Sequence, residues 1–213
     1  DYQPSRGGYH AEEFLKGFSG YLICDGFSGY NKLKGVIRCG CLAHMRRYWN
    51  EALPGKSRKS FDKTPAEIGL NYCNQLFELE KEYADLDADT RKAKRLETES
   101  AIWEAYWSWL ETVKPAGGSR LAKAVTYAKN QKPYMENYLL DGRCSISNNI
   151  AENIARPYAV GRKNFLFHDT VKGARASSII YSLVETAKLN DLNIYAYLET
   201  VLLYMPDYKN EPE

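Results

Sequence analysis

The first fifty residues alternate short apolar runs with turn residues. A short helix is predicted over 10–18, and the apolar run 21–24 that follows ends at Asp25-Gly26, which predicts a buried strand and a turn. Residues 35–40 predict a second strand, and residues 43–53 predict a helix. A strand, a turn, a second strand and a helix in this order indicate an α/β arrangement.

The middle of the chain changes to apolar residues at three- and four-residue spacing, which places them on one face of a helix. The first such face comprises Ile68, Tyr72, Leu76, Leu79 and Tyr83, and the second comprises Leu96, Trp103, Tyr106 and Leu110. Ser119 is the expected N-cap of a third helix, which Pro133 is expected to kink or restart. The segment is therefore predicted to be a large all-helical insertion in an α/β frame.

The last third of the chain is predicted to complete the frame and to end in helices. One helix carries Glu152, a long helix covers 174–188, and a further helix covers 194–205. The predicted organisation has three parts: residues 1–54 as the first part of the core, 55–140 as the helical insertion, and 141–213 as the second part of the core with the C-terminal helices.

The charge balance says little about partners, because 29 Lys and Arg residues face 27 Asp and Glu residues, for a formal net charge of +2. A DNA-binding surface must therefore come from local clustering of basic residues. The odd number of cysteines, five, favours a reducing compartment. No segment approaches the roughly 20 apolar residues of a membrane span. The chain starts without a methionine or a signal peptide and is interpreted as a piece of a longer protein.

Asp25 is the first candidate for chemistry, because it stands where a buried strand meets a glycine. Ligands of open α/β sheets gather at the carboxyl ends of strands. A carboxylate at this place suits Mg²⁺, which prefers oxygen ligands. The alternative is an ordinary turn aspartate, since Asp-Gly is common in turns.

Glu152 is the second candidate, and its alternative is a structural one. Asn149 is expected to be the N-cap of the helix, with Glu152 at the third helical position, which together form a variant of the capping box. A capping glutamate turns back to its own backbone, whereas a metal ligand turns outward. Taken alone, the local sequence favours the cap.

One region is locally basic and opposed only by Asp169. Its cationic residues are Arg156, Arg162, Lys163, Lys172 and Arg175. Phosphate contacts dominate DNA affinity and require such side chains, so this region is a candidate DNA-binding surface. The alternative for the basic residues is an ordinary solvated surface. Residues 164–167, which lie within this region, could form the core of a strand instead of a surface on which DNA bases stack.

Cys39, Cys41 and His44 are possible soft ligands, but a zinc site requires four ligands and no second suitable pair is present. Cys41 and His44 also suggest a thiol nucleophile with a base one helical turn away. No third residue that would orient the base is evident. Both hypotheses are therefore minor ones.

Taken together, these segments resemble the transposases of the insertion-sequence-sixty-six family. Residues 20–30 resemble the block around the second catalytic aspartate, residues 40–47 the strand-to-helix block that follows, and residues 147–157 the block of the catalytic glutamate. The matching blocks continue over residues 161–167, 181–188 and 196–198. The likeness runs in the same order from Pro4 to about Met205.

The resemblance implies a ribonuclease H-like fold with an Asp-Asp-Glu triad, of which Asp25 is the second acid and Glu152 the third. It also implies a helical insertion between these two acids, and site-supporting roles for Cys41, His44, Asn149 and Asn153. The first acid of the family lies upstream of the segment at which this chain begins. Asp1 aligns with a noncatalytic position, so no residue is assigned to the first acid.

The implied activity is metal-dependent phosphodiester hydrolysis and strand transfer with two Mg²⁺ (or Mn²⁺) ions. The implied partners are DNA, as element ends and target, a homo-oligomer formed on DNA and accessory transposition proteins. The implied location is the bacterial cytoplasm, near the nucleoid. The first alternative is a catalytically inactive fragment that binds DNA or a partner. The second is a hydrolase of small substrates that uses Asp25 and Glu152 as acid and base without metal.

Overall fold

The computed structural model describes residues 3, 5–55, 62–162, 164 and 168–208, and these are mostly helical with one small sheet. The chain divides into two compact units. The larger unit is Gly7–Asn149, and the smaller unit combines Asp1–Arg6 with Ile150–Glu213. An α/β character is confirmed for the larger unit, which contains both strands.

The sheet consists of two parallel strands, β1 (Gly20–Cys24) and β2 (Val36–Gly40), paired from Gly20 with Val36 to Cys24 with Gly40. Both strands were predicted from their apolar runs. The connection contains a 3-10 helix, Ser28–Lys32, and returns the chain so that both carboxyl ends lie at one edge. The backbone N–H of Cys41 donates to the carbonyl of Cys24 at 3.0 Å, which continues the pairing into the next helix.

Eight α-helices are present among the described residues. Those that begin in the larger unit are α1 (Tyr9–Phe14), α2 (Leu42–Glu51), α3 (Pro65–Glu82), α4 (Ala88–Thr112), α5 (Arg120–Met135) and α6 (Asn149–Gly161), and those of the smaller unit are α7 (Val171–Leu189) and α8 (Ile194–Tyr204). The helices α3, α4 and α5 confirm the helical pattern expected between residues 55 and 140. The helices α7 and α8 confirm the two predicted near the end of the chain.

The ends of α5 show one correct and one wrong prediction. Ser119 is its N-cap, since the Ala122 N–H donates to Ser119 Oγ at 3.0 Å. The expected restart at Pro133 is wrong, because α5 continues through Pro133 to Met135. Gln131 and Met135 are buried on either side of the proline, so packing holds the last turn in spite of the missing N–H.

The hydrophobic core of the larger unit combines aromatic side chains of α2 and α4 with non-aromatic side chains of α3 and α5. The Trp49 indole donates to the Tyr106 hydroxyl at 3.1 Å, so its buried N–H group has a hydrogen-bond partner. Trp49 also lies directly over Gly69 of α3, where a Cβ atom would come within 2.5 Å of the indole ring. The absence of a side chain at Gly69 therefore sets how closely α2 and α3 approach.

The buried face of α4 differs from the predicted one. Trp103, Tyr106 and Leu110 are buried as predicted, but Leu96 is 46% exposed, and Arg95 and Glu99 are fully buried in its place. The Arg95 charge is satisfied by a buried polar network, in which its guanidinium binds both carboxylate oxygens of Glu80 at 2.6 Å and also donates to backbone carbonyls. Glu99 Oε2 accepts from the Tyr138 hydroxyl, whereas Glu99 Oε1 has no partner among the described residues.

The buried face of α3 is also rotated from the predicted one. The buried residues are Ala66, Gly69, Cys73 and Leu76, so of the five predicted positions within and just after this helix only Leu76 and Tyr83 are buried. Small residues face α2 because they permit the close approach at Trp49.

Candidate functional site

Asp25 lies immediately after β1, at the edge where both strands end, and its side chain is half-buried. The backbone N–H of Phe27 donates to Asp25 Oδ1 at 3.0 Å, which is the hydrogen bond of an Asx turn. This contact orients the carboxylate and leaves its second oxygen for another partner. The turn and the ligand interpretations of Asp25 are therefore compatible.

The helix α5 packs directly on the turn that carries Asp25. A Cβ atom at Gly26 would lie 3.0 Å from both Gln131 Nε2 and Tyr127 Cε2, so the turn residue must be small for the helix to approach. The Tyr127 hydroxyl and Gln131 Oε1 are buried and have no hydrogen-bond partner among the described residues. Burial raises the pKa of the Tyr127 hydroxyl well above 10, and Cys41 and Asp25 add to this effect.

Arg38, on β2, supports the same turn from the sheet side. Its Nη2 donates to the Asp25 carbonyl at 3.5 Å, its Nη1 donates to Asn31 Oδ1, and its guanidinium carbon lies 4.0 Å from the centre of the Tyr134 ring. The side chain is 7% exposed, so its position is fixed by packing as well as by hydrogen bonds. Asp25 follows β1, and Arg38 of the neighbouring strand β2 holds the turn that contains Asp25.

Cys41 and His44 lie at the start of α2. Cys41 is fully buried at the N-cap position, which disfavours a role as a nucleophile open to substrate. His44 is half-buried and lines a small cavity of about 200 Å³ with Arg47, Tyr48 and Glu51. Within the described ranges, no group of three or more His, Cys, Asp or Glu side chains is arranged to hold a metal ion, either around Cys41 and His44 or around Asp25.

Asp25 and the face of α5 that packs on its turn carry oxygen atoms of the kind that hard cations prefer. The Asp25 carboxylate, the Tyr127 hydroxyl and Gln131 Oε1 are all oxygen atoms, and the last two lack partners in the described residues. Mg²⁺ and Mn²⁺ sites are built from such oxygens, whereas zinc favours sulfur and imidazole nitrogen.

Glu152 belongs to the smaller unit and is half-buried on α6. The helix begins at Asn149, so the prediction of Asn149 as the N-cap is wrong and Glu152 stands at the fourth helical position. Asn148 and Asn149 are equally suitable caps by residue type, which is why the sequence did not separate them. Asn153 follows on the same helix and is exposed.

The predicted basic surface belongs to the smaller unit. Arg156 on α6, Arg162 just after it, and Lys172 and Arg175 on α7 are all exposed. Lys163 and the segment 165–167 lie outside the described residues. The exposed positions are compatible both with phosphate binding and with a solvated surface, so the DNA-binding role stays a prediction.

Three residues near Asp25 were missed from the sequence: Arg38, Tyr127 and Gln131. Tyr127 and Gln131 are spaced by four residues, which places them on one helix face, but neither residue type distinguishes core from site. Only the packing of α5 on the Gly26 turn brings them to Asp25, about a hundred residues earlier in the chain. Arg38 carried a weak signal as a charge inside an apolar strand run.

The smaller unit contains a cavity of about 470 Å³ between α6 and α7. Its lining includes Tyr158, Tyr181 and Glu185. The Tyr158 hydroxyl pairs with His168 Nε2 at 3.1 Å, and the two rings stack. Within the described ranges, no helix is both long and apolar enough to cross a lipid bilayer.

Comparison with known proteins gives a consistent result along the chain. A family model described as "Transposase IS66 family" matches residues 1–176, and a model described as "IS66 C-terminal element" matches residues 182–212.

"Uncharacterized protein y4qI" of Sinorhizobium fredii is 32% identical over 214 residues, which cover 94% of this chain and 39% of that protein. "Uncharacterized protein y4hP" of the same organism is 28% identical over 219 residues, covering 95% of this chain and 40% of that protein. The chain therefore spans about two fifths of the length of these relatives. No solved structure matches it significantly.

Proposed function

The chain belongs to the IS66 family of transposases, and from this premise we propose that Asp25 and Glu152 are the second and third acids of a DNA-cleaving and DNA-joining site. The observation that carries the proposal is the position of Asp25. It follows a parallel strand at the sheet edge, with one carboxylate oxygen fixed by the Phe27 N–H and partnerless oxygens of α5 beside the turn. Such an edge is where α/β sheets bind their ligands.

Asp25 and Glu152 would hold divalent cations, Mg²⁺ or Mn²⁺, with two ions in the complete site. When bound, such ions lower the pKa of an attacking water or 3′-hydroxyl and neutralise charge on the leaving oxygen. The contribution of the protein is to fix the carboxylates. The Asx turn and the buried Arg38 hold the backbone of Asp25, so its carboxylate is preorganised for a ligand.

The remaining parts of the proposal follow the family resemblance. The sheet and α2 would form part of a ribonuclease H-like core, with α3, α4 and α5 as its insertion and the division at residues 54 and 140. Asn149 and Asn153, near Glu152, and Cys41 and His44, at the start of α2, would support the site. No first acid is assigned to these residues, so the 213-residue chain by itself is proposed to be inactive.

DNA is the proposed substrate and partner. The exposed cations of the smaller unit, Arg156, Arg162, Lys172 and Arg175, together with Lys163, would contact phosphates near the acids, because phosphate contacts position a protein on DNA without reading its sequence. A homo-oligomer on DNA, accessory transposition proteins and a place near the bacterial nucleoid belong to the same proposal.

Strand cleavage tests the proposal. Full-length protein carrying Asp25→Asn or Glu152→Gln is incubated with Mg²⁺ and labelled DNA that contains the ends of its own element. We expect both variants to lose detectable cleavage while gel-shift affinity for the same DNA is retained. Glu104→Gln, at an exposed position of α4, serves as the matched control and should cleave normally.

Cleavage that persists in either variant would refute the assignment of that acid. If the unmodified full-length protein binds the DNA and never cuts it in Mg²⁺ or Mn²⁺, the binding-only alternative replaces the enzyme. Activity that survives a chelator would favour the hydrolase of small substrates.

A further inference from the structure

The contact between α5 and the Asp25 turn leaves two polar groups that packing does not explain. The Tyr127 ring stacks on Tyr48 with centroids 4.5 Å apart, which accounts for the ring but not for its hydroxyl. The hydroxyl and Gln131 Oε1 are both shielded from solvent and have no partner in the described part of the chain. A buried polar group without a hydrogen bond is costly, so two on one helix face require a partner beyond the described residues, either ordered water or a ligand.

We propose that Tyr127 and Gln131 are positioning residues for Asp25, which hold its carboxylate and the water around a divalent cation bound there. This inference rests on the proposed function. It gives α5, which lies in the helical segment between the two acids, a direct part in the site in addition to its part in the hydrophobic core.

The chemistry of the two groups suits this role. The Tyr127 hydroxyl is a donor, and one oxygen of Asp25 is left open because the Phe27 N–H binds only Oδ1. Gln131 Oε1 is an acceptor, and Mg²⁺ keeps several of its waters, whose O–H groups need acceptors. Hydrogen bonds of this kind orient metal-binding carboxylates and tune their affinity.

The position of Gly26 supports the same conclusion. A Cβ atom at this residue would press against Gln131 Nε2 and the Tyr127 ring at 3.0 Å. The residue next to Asp25 therefore leaves room for both side chains to approach the turn. Arg38 closes the turn from β2, and its Nε atom is also buried without a partner in the described part of the chain. Tyr127 and Gln131 are the residues of α5 that present unpartnered oxygen atoms on the face that packs on this turn.

The experiment measures Mn²⁺ binding to the full-length protein by calorimetry, beside its thermal unfolding. Tyr127→Phe and Gln131→Met remove one polar group each and keep the shape, whereas Tyr48→Phe removes the hydroxyl of the stacked neighbour as the matched control. We expect roughly tenfold weaker Mn²⁺ binding for the first two and no change for Tyr48→Phe. Gln131→Glu, which keeps the acceptor, should bind Mn²⁺ at least as well as the unmodified protein.

Thermal unfolding separates positioning from structure. Without metal, Tyr127→Phe should have an unchanged or higher Tm, because it removes a hydroxyl that has no partner; a structural hydroxyl would lower the Tm when lost. Unchanged Mn²⁺ affinity in Tyr127→Phe and Gln131→Met, with affinity lost in Asp25→Asn, overturns the positioning roles and leaves the proposed function standing. Unchanged affinity in Asp25→Asn overturns both.

Discussion

The two units of the chain are stabilised in different ways. The larger unit encloses a core in which Trp49, Trp103 and Tyr106 are at most 1% exposed and hydrogen-bonded to one another or to neighbours. In the smaller unit, α6 and α8 contain no buried residue among those described, and α7 buries only Ala174 and Ala187. The smaller unit instead exposes large apolar side chains of α6, α7 and α8, including Leu202, which is 65% exposed.

The two candidate acids, Asp25 and Glu152, differ in the same way, in how firmly packing holds the backbone that carries them. Asp25 follows a strand whose neighbours are fixed by a dense core, so its backbone has little freedom. Glu152 stands on a helix that no buried side chain anchors. Most helical stability in proteins comes from tertiary packing, so the position of Glu152 depends more on local hydrogen bonds than that of Asp25.

The largest expected difference concerns apolar side chains. Trp103→Ala should lower the free energy of unfolding by about 3–5 kcal/mol, because Trp103 is fully buried and donates to Tyr138. Leu202→Ala, at an exposed position of α8, should change it by no more than about 0.5 kcal/mol. Urea unfolding measures both. Equal losses would show that the smaller unit has a core of its own.

A second difference concerns pH, since the larger unit buries a carboxyl group. Burial raises the pKa of Glu99 from 4.5 to about 8, with the charge of Glu80 adding to the effect and a hydrogen bond from Tyr138 opposing it. The folded state therefore keeps a proton that the unfolded chain releases above 4.5. The contribution of Glu99 is complete below that pH and is lost as the pH rises towards 8, with a slope of at most about 1.4 kcal/mol per pH unit.

Glu99→Gln tests this pH dependence, because an amide does not titrate. Urea unfolding between pH 5 and 8 should show the variant gaining stability relative to the unmodified protein as the pH rises. Glu104→Gln, exposed on the same helix, should show no such trend. A difference independent of pH would mean that Glu99 is ionised throughout.

The smallest expected effect compares two helix caps of similar chemistry. Asn193 caps α8 by accepting from the Ala196 N–H at 3.0 Å, as Ser119 caps α5. Loss of such a cap costs about 1 kcal/mol. In Asn193→Ala we expect roughly fivefold faster hydrogen exchange across α8, because local opening is not held back by buried side chains.

In Ser119→Ala, by contrast, exchange across the middle of α5 should change little unless the whole unit unfolds, since Ala124, Ala128 and Met135 are buried. Hydrogen exchange followed by mass spectrometry reports both helices. Similar acceleration in the two variants would remove the distinction between the units.

The sequence was sufficient where one local signal decides the structure. The apolar run before Asp25 predicted β1, and Ser119 predicted the start of α5, because strand ends and caps depend on a few adjacent residues. It was insufficient where tertiary contacts decide. Leu96 fitted the apolar spacing of α4, yet Arg95 and Glu99 are buried in its place. Residues of other elements contact them there, since Glu80 binds Arg95 and the Tyr138 hydroxyl donates to one oxygen of Glu99.

The same reasoning explains the candidate site. The position of Asp25 at the end of a strand could be predicted from the apolar run before it. Its catalytic role, which follows from the matching blocks around it, remains a prediction. Tyr127 and Gln131 could not, because nothing in α5 indicates that it packs on a turn so distant in the chain. The role of Glu152 rests on the resemblance and that of the basic residues on their clustering along the chain, and both remain predictions.

The bare backbone of Gly69 beneath Trp49 couples two positions that are twenty residues apart in the chain. The indole ring already occupies the space that a side chain at position 69 would need. A mutation that gives position 69 a side chain would therefore have to be inherited together with a smaller residue at position 49.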